Sequence, residues 1–95
     1  MQLRYNLDAD TGMPHIAQHG VGERDVEDVL SRPLENLPGQ RGSRMMIGKT
    51  RTGRLLKVII VPDADGRSAF VVTAFDLIGK PLHAHRRRMR RRGSR

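Results

Sequence analysis

The stretch "RLLKVIIV", residues 54–61, is filled with branched apolar side chains almost without a break. Branched aliphatic residues favour a β-strand, and a continuous apolar run is typical of a strand that is covered on both faces. The stretch therefore predicts the central strand of a sheet. Lys57 interrupts the run, and a charged group is disfavoured in a core. One explanation is that the flexible stem of Lys57 carries the ammonium group to the edge of the core. The other is that Lys57 faces an uncovered side of the sheet where a ligand binds.

Further strands are expected around this central strand. Residues 44–49 ("RMMIGK") precede it, and the tight turn at 50–53 places a glycine, Gly53, where a hairpin with a bulge needs a positive φ. Residues 69–76 ("AFVVTAFD") follow it as a third strand. Apolar and polar residues alternate over 3–7 ("LRYNL"), which indicates a short edge strand. These signals predict an antiparallel meander of three to four strands.

The stretch "QHGVGERDVEDVLSRP", residues 18–33, predicts a surface helix with an acidic first turn. Gly22 can serve as its N-cap, and acidic groups in the first turn suit the positive end of the helix dipole. Val21 and Val26 occupy the positions of a hydrophobic staple. Pro33 ends the helix, because it disfavours the α conformation in the residue before it.

Two more helices are expected on either side of these elements. Pro14 opens a short helix that runs to about His19, and Gly79 with Pro81 marks the start of a C-terminal helix. Residues 33–43, with two Pro and two Gly, are predicted to be a loop. The order is a strand, two N-terminal helices, the meander and a C-terminal helix. It predicts an α+β domain with its helices on one face of the sheet and the other face open to a partner.

The net charge of +8 is unevenly distributed along the chain. Residues 86–95 contain seven Arg and no acid, whereas residues 1–85 contain 11 basic and 10 acidic residues. We therefore expect one α+β domain over 1–85 and an Arg-rich tail over 86–95. A second basic block, at 41–57, contains no acid. Two basic clusters favour nucleic acid as the partner, although such a tail is also often only solubilising or disordered.

Composition excludes several classes of protein. The chain has 95 residues, which is the size of one small domain, and its lack of cysteine excludes disulfides and thiolate metal sites. No apolar run approaches the roughly 20 residues of a membrane span, and no signal-peptide pattern opens the chain. We expect a cytoplasmic protein that has no membrane partner.

The residues that could carry chemistry are those that suit phosphate. The chain has no GxxxxGK[ST], HExxH or GxSxG motif. A ribonuclease needs no metal when the 2′-hydroxyl of the RNA is the nucleophile, because Arg or Lys can neutralise the phosphate and His can move protons. We expect no metal and no cofactor. The candidates for proton transfer are His19, Lys57, His83 and His85. The candidates for RNA contact are Arg44, Arg51, Arg54, Arg86, Arg87 and Arg90.

Each histidine also has a simpler explanation. His15 and His19 share one helix face at i and i+4, but they lack a third metal ligand, and both are equally explained as solvated or core-edge residues. His83 and His85 lie two positions apart on the last helix, so only one of them can face a given site. Either is also explained as a helix surface residue. Arg51, on the turn, is most simply a solvated charge.

The stretches "HIAQHGVGERDVEDVLSRP", "IGKTRTGRLLKVIIV" and "FVVTAFDL" resemble the BrnT-like toxins and their uncharacterised relatives in the RelE superfamily. The resemblance covers most of residues 14–78. It implies a RelE-like α+β fold, metal-independent cleavage of mRNA, either free or on the ribosome, and a cognate antitoxin that masks the site in a hetero-oligomer. The matching positions are His19-Gly20-Val21, Gly48, Thr50, Gly53-Arg54, Lys57 and Thr73-Ala74.

Three functions remain open from the sequence. The first is a toxin of a type II toxin–antitoxin system that cleaves mRNA. In this interpretation Arg44, Arg54 and Lys57 converge on the open sheet face and Arg86 assists them. The acidic helix lies on the opposite side. The second is a non-catalytic RNA-binding module that uses the same face and the Arg-rich tail. The third is a protein-interaction domain whose open sheet face binds another chain.

Overall fold

The structure, a computed structural model, describes residues 1–93 of the chain. Its regular elements are β1 (Gln2–Tyr5), α1 (Glu23–Ser31), β2 (Glu35–Pro38), β3 (Arg44–Lys49), β4 (Leu55–Pro62), β5 (Ser68–Asp76) and α2 (Gly79–Gly93). Two short 3-10 turns lie at His15–His19 and Gln40–Gly42. The strands form one sheet in the order β1-β5-β4-β3-β2.

The stretch that predicted a central strand is the middle strand of this sheet. β4 pairs antiparallel with β3 on one side and with β5 on the other. Its alternate residues Leu56, Val58 and Ile60 are buried. The turn between β3 and β4 is closed by a hydrogen bond from the Thr50 N–H to the Arg54 carbonyl, and Gly53 adopts a φ of 90° as predicted. The antiparallel core β3-β4-β5 is therefore confirmed.

The outer strands differ from the prediction. β1 lies parallel to β5, with Gln2 opposite Ser68, so the sheet is mixed. β2 forms within residues 33–43, which were predicted to be a loop, and pairs antiparallel with β3. Its Pro38 is tolerated because it ends an edge strand, where no second neighbour needs its missing N–H. The predicted antiparallel sheet of three to four strands is wrong, because the sheet has five strands and one parallel pair.

The prediction of two N-terminal helices is also wrong, and with it the expected RelE-like arrangement. Residues His15–His19 form only a 3-10 turn, which ends at Gly20 with a φ of 67°. The one N-terminal α-helix is α1. Gly22 is its N-cap as predicted, and the Gly22 N–H donates to Oδ2 of Asp25 at 2.9 Å. Val26 on its inner side is completely buried, as expected of the hydrophobic staple.

The first face of the sheet carries α1. A Cβ atom placed on Gly48 of β3 would lie 3.2 Å from Cγ1 of Val29, so the glycine lets the helix approach the strand closely. Aliphatic side chains from the strands and α1 fill the space between them, which forms the hydrophobic core of a domain with few aromatic residues. The largest completely buried members are Leu56, Val26, Val29, Val58 and Val71.

The second face of the sheet carries α2. Glu35 lies opposite Ile47, and Ile47 lies opposite Lys57. Because neighbouring residues of a strand point to opposite faces, this row lies on the side away from Gly48 and α1. Glu35 is hydrogen-bonded to His85 of α2. The prediction that all helices lie on one face, leaving the other open, is therefore wrong.

A β-bulge in β5 changes which residues face the core. Ile59 lies opposite Thr73 and Ile60 lies opposite Val71, which leaves Val72 as an extra residue. Val71 and Ala74 consequently both point into the core and are completely buried. Strict alternation along a regular strand would place these two residues on opposite faces, and the bulge is what brings them to the same face.

The C-terminal helix begins at Gly79, as predicted, and runs to Gly93. α2 continues across residue 85, where the sequence places the boundary between a domain at 1–85 and an Arg-rich tail at 86–95, and that division stays a prediction. Ser94 and Arg95, the last residues of that predicted tail, lie outside the described residues. Within residues 1–93 no helix is long and apolar enough to cross a membrane.

Candidate functional site

A buried carboxylate on β2 holds α2 against the sheet. The side chain of Glu35 is only 4% exposed, and a buried charge is unfavourable unless it is paired. Arg88 donates to it twice, from Nε to Oε2 at 2.6 Å and from Nη2 to Oε1 at 2.9 Å. Nδ1 of His85 lies 2.6 Å from Oε1. The hydrogen bonds from Arg88 and then from His85 hold the pKa of Glu35 below its ordinary value, although burial opposes them.

The attachment of α2 to the sheet depends strongly on these polar contacts. His85 is the residue of α2 that is buried, whereas the apolar Leu82 and Met89 are only half-buried. Nη1 of Arg92 adds a hydrogen bond to the Leu34 carbonyl at 3.1 Å. The helix is therefore docked mainly by ionic and hydrogen-bonded contacts to β2 and the residue before it.

The Glu35 carboxylate fixes the orientation and the tautomer of His85. An ionised carboxylate can only accept hydrogen bonds, so Nδ1 of the imidazole carries the proton. Nε2 makes no hydrogen bond within residues 1–93. The buried side-chain nitrogen and oxygen atoms that lack a partner in this part of the chain are Tyr5 Oη and Thr73 Oγ1. Nε2 is not one of them, so it reaches solvent although the residue as a whole is buried.

Lys57 lies on the same sheet face as Glu35. The register places it between Ile47 of β3 and Phe75 of β5, and its side chain is half-buried. Within residues 1–93 the ammonium group forms no hydrogen bond or ion pair. Lys57 therefore provides a cation without a protein partner in that region, on the face that carries α2.

Five exposed arginines on α2 form what we call the arginine surface. Residues 79–93 contain no Asp or Glu. At 1.5 Å per residue the helix is about 22 Å long. The exposed His83 lies one turn before the first of these arginines. The members of the arginine surface are Arg86, Arg87, Arg90, Arg91 and Arg92.

Two of the predicted RNA-binding arginines instead neutralise acids. Nη2 of Arg51 donates to Asp28 of α1 at 2.9 Å. Arg54 donates to Asp76 at 3.0 Å and to the Gly20 carbonyl at 2.8 Å. The basic hairpin turn and the acidic helix therefore contact one another, contrary to the expectation that they lie on opposite sides.

Arg44 also lies apart from Lys57. It stands opposite Ile60, a core residue, and so belongs to the first face. Its side chain donates to Oδ1 of Asn36 at 2.8 Å. The convergence of Arg44, Arg54 and Lys57 expected from the sequence is not found, because the alternation of β3 and the ion pairs of Arg54 direct them elsewhere.

Whereas His85 belongs to α2, His19 is exposed and belongs to the 3-10 turn His15–His19. Its ring is 5.4 Å from that of His15 and 5.9 Å from that of Phe75, and it lines a shallow pocket with Pro81 at the start of α2. No group of three or more His, Asp or Glu side chains within residues 1–93 is arranged to hold a metal ion.

Glu35 is the site residue that the sequence reasoning missed. It lies in the stretch assigned to a loop, so its carboxylate received no role. One signal was present: Glu35 is the single acidic residue between Asp28 and Asp63. An isolated carboxylate among basic and apolar residues indicates a specific ion pair.

No protein-family model, curated protein or solved structure matches this chain. The function must therefore be inferred from the chemistry of the second sheet face. That face combines the arginine surface, the ammonium group of Lys57 and an imidazole oriented by a buried carboxylate. Cations and an oriented imidazole together suit a phosphodiester.

Proposed function

We propose that this chain is a cytoplasmic RNA-binding protein and a metal-independent endoribonuclease of the BrnT-like toxin kind. The observation that supports this most is the arginine surface, an exposed stretch of α2 on which arginine is the only charged residue. RNA lies along α2, and Lys57 beside it neutralises the phosphate that is cleaved.

The spacing of the arginines supports a polyanionic ligand. Arg87 and Arg91 are four residues apart, which is about 6 Å along the helix. Like charges at this spacing destabilise a helix. A row of phosphates over α2 would remove that repulsion, so the helix is suited to a bound polyanion.

Cleavage is supported by the resemblance to BrnT-like toxins and by the histidines. His83 is exposed one turn before the arginine surface, and His85 has an oriented ring whose Nε2 reaches solvent although its side chain is only 5% exposed. With the 2′-hydroxyl of RNA as nucleophile, phosphate neutralisation and proton transfer suffice for the reaction. The same resemblance makes a cognate antitoxin the expected protein partner, and mRNA, free or on the ribosome, the expected substrate.

The binding experiment compares two variants that lose the same charge. Arg87→Gln/Arg91→Gln removes two cations from the arginine surface, and Arg24→Gln/Arg32→Gln removes two exposed cations elsewhere. Each phosphate contact on single-stranded RNA contributes about −0.7 to the slope of log K against log salt. The α2 variant should lose about 1.4 in slope and the control variant almost nothing. Equal losses would show that net charge, and not α2, binds RNA.

The cleavage experiment uses RNA and an otherwise identical strand with 2′-deoxyribose, both with EDTA present. The protein should bind both strands but cleave only the RNA.

Regulated expression in a bacterial host, with growth and transcript integrity followed together, tests the toxin role. Binding of RNA without cleavage would leave the non-catalytic RNA-binding module as the function.

A second candidate function is supported by the uncovered part of the second sheet face. Beyond α2 this face continues through Leu37, Met45 and Ile59, which are half-buried, to Val61, which is 37% exposed. Apolar side chains on an open sheet face are suited to another protein chain. A protein-interaction domain would bind its partner there and show no affinity for RNA.

A further inference from the structure

We infer that His85 is the base that removes the 2′-hydroxyl proton of RNA and that Glu35 is its positioning residue. The inference rests on the proposed ribonuclease activity. It assigns the proton transfer to one of the four histidines, and it gives a role to a carboxylate that the sequence left in a loop.

The four histidines differ in how firmly they are held. His85 is buried and its ring is fixed by a carboxylate at 2.6 Å. His83 is exposed and has no hydrogen-bond partner within residues 1–93. His15 is bonded to Asp8, and His19 contacts rings at the start of α2. A general base works best when a third group holds it in one tautomer and one orientation. Among the four histidines, only His85 is both held in this way and buried on the sheet face that carries Lys57.

The register of the sheet sets the distance between the residue that holds His85 and Lys57. Glu35 and Lys57 lie in one cross-strand row, separated by the strand that carries Ile47. Because neighbouring strands are about 4.8 Å apart, the backbones of Glu35 and Lys57 are about 10 Å apart. Because His85 is bonded to Glu35, its ring and the ammonium group of Lys57 lie on the same face of this row. Ile47 between them is only 2% exposed, so a phosphodiester would contact Nε2 of His85 and the ammonium group of Lys57 from the solvent side of this row and not on the row itself.

The chemical step needs no co-reactant beyond water. Nε2 of the neutral imidazole accepts the 2′-hydroxyl proton while the 2′-oxygen forms a bond to phosphorus. The bond from phosphorus to the 5′-oxygen breaks, and the leaving oxygen takes a proton from water. The imidazolium then gives its proton to the hydroxide that remains. The products are a 2′,3′-cyclic phosphate and a free 5′-hydroxyl, and the protein is unchanged.

The test removes Nε2 and keeps the contact to Glu35. The amide of His85→Asn still offers an N–H near the position of Nδ1, so the contact to Glu35 can be retained. His15→Asn is the matched control, because His15 is also held by a carboxylate, that of Asp8, and has no place in the proposed site. We expect His85→Asn to lower the cleavage rate by about 100- to 10,000-fold with unchanged affinity for RNA, and His15→Asn to change neither. If His85→Asn does not fold by circular dichroism, His85→Gln replaces it, because its longer amide can also donate to Glu35.

Two further measurements separate the roles. Glu35→Gln should lower the maximal cleavage rate without weakening RNA binding, whereas loss of both together would show that Glu35 is only structural. A substrate whose 5′-bridging oxygen is sulfur needs no proton on its leaving group. The defect of His85→Asn should persist on this substrate, and its disappearance would overturn the assignment of His85 as the base.

The outcomes also separate this inference from the proposed function. Wild-type protein that cleaves RNA while His85→Asn cleaves it equally well overturns the role of His85 and leaves the ribonuclease standing. Wild-type protein that neither binds nor cleaves RNA overturns both.

Discussion

Replacing Glu35 by Gln tests whether a buried carboxylate docks α2. The substitution keeps the length and shape of the side chain but removes the charge. The oxygen of the new amide can still accept a hydrogen bond. Its NH2 group, however, faces the N–H groups of Arg88, and two donors cannot form a hydrogen bond with each other. The helix should remain formed but bind the sheet more weakly.

The expected cost follows from the burial of the two partners. Removing one member of a buried ion pair usually costs about 3 to 5 kcal/mol, because the other charge is left buried. The side chain of Arg88 is 35% exposed and can recover hydration by turning outward. We therefore expect a lower loss, about 2 to 3 kcal/mol in the free energy of unfolding. A domain of this size has a total free energy of unfolding of about 5 to 14 kcal/mol, so Glu35→Gln should still fold.

The effect of Glu35→Gln should also depend on pH. Arg88 and then His85 lower the pKa of Glu35 in the folded state from the ordinary value of 4.5. The stabilisation is therefore fully present above about pH 4.5 and is lost as the pH falls through the folded-state pKa. The difference between wild type and Glu35→Gln should be largest at neutral pH and shrink below pH 4.5.

Urea unfolding followed by far-ultraviolet circular dichroism measures this difference, since the chain has no Trp. Hydrogen exchange should show that the amides of α2 lose most protection. Glu27→Gln, an exposed carboxylate on α1, is the control and should change little. Equal stability of wild type and Glu35→Gln at pH 7, or a difference that does not change with pH, would refute the role of Glu35 in docking α2.

Three other substitutions test separate parts of the structure. Burial raises the pKa of Tyr5 to about 12, and its Oη lacks a hydrogen-bond partner within residues 1–93. Tyr5→Phe should therefore leave the free energy of unfolding unchanged or raise it by up to about 1 kcal/mol in thermal unfolding. A clear loss of stability would show that the hydroxyl group has a partner. Gly48→Ala should cost about 1 to 3 kcal/mol in urea unfolding, because the new methyl group meets Val29 at 3.2 Å; wild-type stability would mean that α1 lies farther from β3. Lys57→Met should keep the fold by circular dichroism yet weaken RNA binding or cleavage, and a folded, fully active variant would remove Lys57 from the site.

Local signals predicted the parts of the fold that local chemistry decides. The apolar run around Val58, the turn closed by Gly53, the cap at Gly22 and the start of α2 at Gly79 each depend on a few neighbouring residues. Such residues act through backbone conformation and burial, which a short stretch of sequence reveals. Those elements are found where the sequence placed them.

The parts that were missed depend on contacts between distant residues. Residues 35–38 have no strand pattern of their own and become a strand because β3 offers an edge. The bulge at Val72 arises from the pairing of β5 with β4, so no signal within β5 shows it. The site follows the same rule: Glu35 and His85 are 50 residues apart, and their contact depends on which sheet face α2 covers.

The parallel pairing of β1 has a consequence for how the chain folds during synthesis. Gln2 lies opposite Ser68, so the first strand cannot join the sheet until β5 has been made. The hairpins of β3, β4 and β5 join neighbours in sequence and need only short loops to close, whereas β1 must close a loop of more than sixty residues. We therefore expect β1 to dock last. Until it does, the outer edge of β5 is an unpaired strand that can recruit another chain. By covering this edge, β1 protects the folded molecule from pairing with other chains.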